Sequence, residues 1–85
     1  MNKCFLIGKV VSEPEFNFLF ECKNISICNF YIELEKNNVI EAFALDDIAD
    51  YIYKSINKND FVNIEGFLIN NNKKISIQIS NIELI

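Results

Sequence analysis

Covalent chemistry needs a nucleophile with a base, or a set of metal ligands, and this 85-residue chain is short of both. It has no histidine, no pair of acids in a buried setting and no glycine-rich phosphate loop. The three cysteines, Cys4, Cys22 and Cys28, are odd in number and lack CxxC spacing, and no histidine exists to complete a zinc site. An enzymatic reading is poor, and no metal or cofactor is expected. The groups left for function are non-covalent ones: eight lysines, eight phenylalanines and three tyrosines.

The net charge of -4 argues against a generic polyanion binder. The charge is uneven, however: residues 1–12 sum to +2, residues 13–50 to -7 and residues 51–85 to +1. Any site for a polyanion has to use the two ends of the chain.

The elements that must position these groups are mostly strands. Lys3 to Val11 is apolar at nearly every position, which implies cover on both faces: one toward a core, the other under a loop or a second subunit. Gly8 suggests a bulge or sharp bend there. Pro14 marks a break, and Phe16, Phe18 and Phe20 follow on one face of a short arm. Cys22-Lys23-Asn24 reads as a polar turn. From Ile25 to Glu35, Cys28, Phe30, Ile32 and Leu34 alternate with Asn29, Tyr31, Glu33 and Glu35. Lys36-Asn37-Asn38 reads as a hairpin turn into a strand from Val39 to Leu45. Phe61 to Asn70 and Lys74 to Leu84 are the last two strands, joined by a turn over Asn71 to Lys73.

One helix interrupts this pattern. Ile48, Ile52 and Ile56 recur every fourth residue and share a face. Asp46 or Asp47 can cap its start, and Asp50 stands four residues before Lys54 in the favourable order. These charges have a sufficient structural role and are assigned no catalytic one. The expected fold is all-β: a single domain over residues 1–85, a five-stranded Greek-key barrel with one α-helix between strands 3 and 4. Such barrels bind oligonucleotides or oligosaccharides on one face.

Composition sets the remaining expectations. The hydrophobic fraction of 51% implies either a well-filled barrel or apolar surface buried between subunits. The apolar stretch at the N-terminus is too short for a signal peptide and no stretch is long enough to span a bilayer, so a cytoplasmic protein with reduced thiols and no membrane partner is expected. Cys4 and Cys28 read as small core residues.

In order and spacing, the motifs resemble those of bacterial single-stranded DNA-binding proteins. The opening MNKCFLIGKV and the segment EPEFNF are similar to that family's MNK-apolar-G-R/K start and its DPE-x-R-Y segment. CNFYIEL resembles the A-N-F-x-L-A strand. AFALDDIADYI through KNDFVNIEGFL resembles the helix start and the strand ending V-E-G-x-L, with no gap between them. The resemblance covers nearly the whole chain, with a short insertion near Glu21 to Asn24. It implies a short, divergent member with the OB (oligonucleotide-binding) fold. It also implies a homodimer or homotetramer paired through the first strand.

By match to the family's motifs, Lys3, Lys9, Phe18 and Lys58 are candidate nucleic-acid contacts. Lys73 and Lys74 sit on the last two-strand finger, where they could meet phosphates, and Phe20, Tyr31 and Phe67 are candidate stacking rings, although such residues are more often a packed arm, a surface strand residue and an edge filler. Departures are marked. Val39, Leu45 and Lys73 stand where the family has stacking aromatics, and Glu41 and Asp47 where it has basic residues. The family's long acidic-tipped tail has no counterpart before the sequence stops at Ile85. Two functions follow. One is sequence-tolerant binding of single-stranded DNA in replication, recombination or a mobile-element process. The other is a protein-interaction or structural subunit of a replication, conjugation or phage complex that has lost the DNA face.

Overall fold

Alternation at period two, with β-branched isoleucines on the inward side, drives most of the chain into strands. The computed structural model describes residues 2–19, 22–35 and 37–85, with backbone alone for Cys22 and Lys23. Its elements are β1 (Lys3–Val10), β2 (Glu15–Leu19), β3 (Cys22–Glu35), β4 (Asn38–Leu45), α1 (Asp46–Ser55), β5 (Phe61–Asn71) and β6 (Lys74–Leu84). They form one six-stranded sheet in the order β1-β5-β6-β4-β3-β2. Every neighbouring pair is antiparallel except β4–β6, which is parallel.

Two features of the expected barrel are corrected. The arm at Glu15–Leu19 is a strand in its own right, because Phe16 and Phe18 pair with Cys28 and Ser26 of β3. The helix therefore lies between β4 and β5, not between strands 3 and 4. The sheet also curls into a ring rather than a regular barrel: β1 meets β3 only through Lys9↔Glu33 and Val10↔Ile32.

Gly8 makes that closure possible. A Cβ there would lie 2.5 Å from the Glu33 carbonyl oxygen and 2.7 Å from Ile32 Cγ1. The β1–β5 register runs unbroken through Gly8↔Val62, so Gly8 serves close approach and not a bulge. The irregularity falls instead at Glu65/Gly66 in the β5–β6 pair.

The inward face packs Cys28, Phe30 and Ile32 of β3 against Ala42 and Ala44 of β4, Val62 and Ile64 of β5, and Ile77 and Ile79 of β6. The helix closes this core with Ala49, Ile52 and Ile56, while Ile48 is half-buried at its margin. The expected aspartate cap is absent: the N-cap is Leu45, with no side-chain cap bond. The Ser26 hydroxyl instead donates to Asp50 Oδ1 at 2.9 Å and lies 3.3 Å from the Asp46 carbonyl, which ties β3 to the helix.

The turns follow asparagine chemistry. Asn37 before β4 has φ 65, and Asn72 and Lys73, between β5 and β6, have φ 49 and 68. The turn expected at residues 22–24 is corrected, since β3 begins at Cys22 and the pairing slips between Phe18 and Leu19. Among the described residues no helix is long and apolar enough to cross a membrane.

Candidate functional site

Residues directly opposite one another on neighbouring strands share a face of the sheet. The register therefore lines up Lys3, Phe67, Gln78, Phe43, Asn29 and Glu15, one per strand, on the outward side. A second row, Ile69, Ser76, Glu41 and Tyr31, runs beside it. Phe43 is on this side because Ala42 and Ala44, which flank it, are wholly buried on the other. Phe43 and Phe67 are both half-buried and stand two strand spacings apart, about 10 Å. The Gln78 amide, both donor and acceptor, lies on the strand between them.

Charge on this face is largely countered. Lys3 Nζ lies 2.7 Å from Glu65 Oε2, and Lys74 Nζ lies 3.3 Å from Glu41 Oε1. Asn29 Nδ2 donates to the other oxygen of Glu41 at 3.4 Å. These are the two ion pairs found among the described residues, and both sit on the outer face.

The sequence candidates divide accordingly. Lys3, Tyr31, Phe67 and Lys74 meet on the outer face, and Lys73 is exposed at the finger's turn. Lys9 lies at the far end of β1, opposite Phe61 and Glu33, in an open cleft of about 510 Å³ that Glu35 also lines. Lys58 is exposed in the turn between α1 and β5. Phe18 points to the helix side: its ring meets Phe16 edge-on at 5.4 Å, and Phe16 lies 5.0 Å from Tyr53. Phe16 thus anchors the arm to the helix, while Phe18 stays 60% exposed on that side, away from the outer face. Phe20 lies outside the described residues.

Three further residues of the face, Phe43, Gln78 and Asn29, were not singled out from sequence. The signal for Phe43 was available in EAFAL, where small residues alternate with one ring. The expected stacking positions on either side of it are aliphatic, Val39 being exposed and Leu45 half-buried. Burial pushes the Cys28 thiol up to about 11, which leaves it protonated and inert. Among the described residues no cluster of acids and cysteines suits a metal ion.

This fold recurs in known structures. The SSB domain of a Synechococcus protein superposes with a TM-score of 0.91 at 18% identity, over 98% of this chain and 94% of that one. The fold is that of the single-stranded DNA-binding domains. The single-stranded DNA-binding protein of Thermus aquaticus gives 0.88 at 15% identity, over 100% of this chain but 40% of its own length. PriB of Ralstonia solanacearum gives 0.80 at 18% identity, over 99% of this chain and 97% of that one. No protein-family model matches the sequence, and no curated protein sequence matches it significantly. The likeness is therefore one of architecture, and the outer face of this chain has its own side chains.

Proposed function

We propose that this protein binds single-stranded DNA without catalysis and with little sequence preference, through the outward face of β3, β4, β5 and β6. The observation that carries this reading is the row Lys3, Phe67, Gln78, Phe43 and Asn29, with Tyr31 beside it. It alternates ring faces with hydrogen-bonding groups on the fold shared by the single-stranded DNA-binding proteins above. Unpaired bases stack on Phe43, Phe67 and Tyr31, and Lys3, Lys73 and Lys74 border the phosphate path. Lys9 and Lys58 extend that path past the ends of β1 and α1. Replication, recombination or a mobile-element process in a bacterial cytoplasm is the setting in which such a protein acts.

One observation favours a second reading. Both ion pairs place a carboxylate against a lysine of the face, which suits a protein partner better than a polyphosphate. In that case the protein is a structural subunit of a replication or conjugation complex.

A titration of fluorescent oligo-dT separates the two. A DNA binder reaches micromolar affinity or better at low salt and weakens as salt rises, with a log–log slope of about -0.7 for each phosphate neutralised. Absence of binding at low salt moves the assignment to the interaction module.

A further inference from the structure

We propose that Glu41 selects the ligand of the outer face by occupying the place of a phosphate, so that a strand is retained for its unpaired bases rather than for its charge. This rests on the binding function proposed above and deepens it.

Glu41 lies mid-strand on β4, between Tyr31 of β3 and Ser76 of β6 and two residues before Phe43 on the same face. Its side chain is only 23% exposed, and both oxygens are engaged: Oε1 with Lys74 Nζ at 3.3 Å, Oε2 with Asn29 Nδ2 at 3.4 Å. Asn29 stands directly opposite Phe43 on β3, and Lys74 is a cation of β6 on the same face, so both are groups an incoming phosphate would use. A carboxylate that accepts from both does what a phosphate oxygen would do there. A phosphate entering this position meets a like charge and must compete with the carboxylate for both groups. A base stacking on Phe43 or Phe67 meets neither obstacle. Duplex DNA, which offers phosphates but no free ring faces, is therefore refused, while an unpaired strand is accepted with a shallow dependence on salt.

The test compares the full chain with Glu41→Gln, Lys74→Gln and the double variant, by fluorescent oligo-dT binding at stepped salt. Glutamine keeps the volume and one acceptor for Asn29, and thermal melts check that each variant is folded. E41Q is expected to bind about tenfold tighter at low salt. Its salt slope is expected to steepen by about 0.7, one further phosphate. K74Q is expected to cost less affinity in the native background than in the E41Q background, where it abolishes the gain. A role confined to bracing the hairpin moves the melting temperature but not the slope. If the native chain binds and E41Q binds equally or more weakly with the same slope, the inference fails and the function stands. If neither binds at low salt, both fail together.

Discussion

A phenylalanine half-exposed on a strand contributes less to the core than its buried counterpart, and Phe43 sits beside alanines that already fill the inward side. Its ring is therefore better placed to serve a ligand than the fold. Loss of one stacking ring costs roughly 1–3 kcal/mol of binding per base. Phe43→Ala and Phe67→Ala should each weaken oligo-dT binding by about five- to one-hundred-fold. The equivalent change at Phe18, whose ring edge meets Phe16, should leave affinity nearly unchanged. Equilibrium titration of the three variants checks this, and an unaltered affinity for both Phe43→Ala and Phe67→Ala would remove the outer row from the binding face. Gly8 marks the opposite case, a residue whose value is the absence of a side chain: the Glu33 carbonyl leaves no room for one.

At the level of elements, the finger formed by β5 and β6 turns on two residues with positive φ, Asn72 and Lys73. Asparagine tolerates that backbone, whereas lysine adopts it at a cost of order 1 kcal/mol. Lys73→Gly should raise stability by up to about 0.5 kcal/mol, because the relieved strain exceeds the extra freedom glycine gives the unfolded chain. The same change should flatten the salt dependence of oligo-dT binding by removing a cation from the rim. A thermal melt paired with a salt titration measures both, and a loss of stability would contradict the turn geometry. Such local features were legible in sequence: the alternation in β3, the helix face of Ile48, Ile52 and Ile56, and the asparagine turns all follow from nearest neighbours. What was not legible depends on partners distant in sequence. The alternation of Phe16 and Phe18 suggests a short arm, but it does not name β3 as the mate of β2. Phe43 went unnoticed because only the parallel β4–β6 pairing sets Gln78 beside it, and only the β5–β6 pairing then adds Phe67. The ion pairs Lys3–Glu65 and Lys74–Glu41 were hidden for the same reason.

For the whole molecule, the doubly apolar first strand leaves an unpaid debt of surface. Its inward residues join the core, but Phe5 is 69% exposed and Ile7 64%, and Phe61 on the adjacent strand is 54% exposed. A chain of this size buries only about 60–65% of its unfolded surface, so a contiguous apolar patch of this kind is a strong candidate for a subunit contact. We propose that a second copy covers it, in a homodimer or a tetramer built from such dimers. Lys3 and Lys9 flank the patch along β1, while Glu65 stands opposite Phe5 and Glu33 opposite Lys9, so charges of both signs border the rings that a two-fold contact would bury. Phe5→Glu with Ile7→Glu places two acids at the centre of that contact and should yield a monomer, because a buried unpaired carboxylate costs more than the contact returns. Sedimentation velocity over a range of concentrations reads the change, and a native chain that sediments as a monomer throughout would overturn the contact. The consequence for binding is avidity. Two outer faces joined through β1 let one long strand engage both, so the affinity of the native protein should rise steeply with oligonucleotide length, while that of the double variant should rise only with the number of equivalent registers.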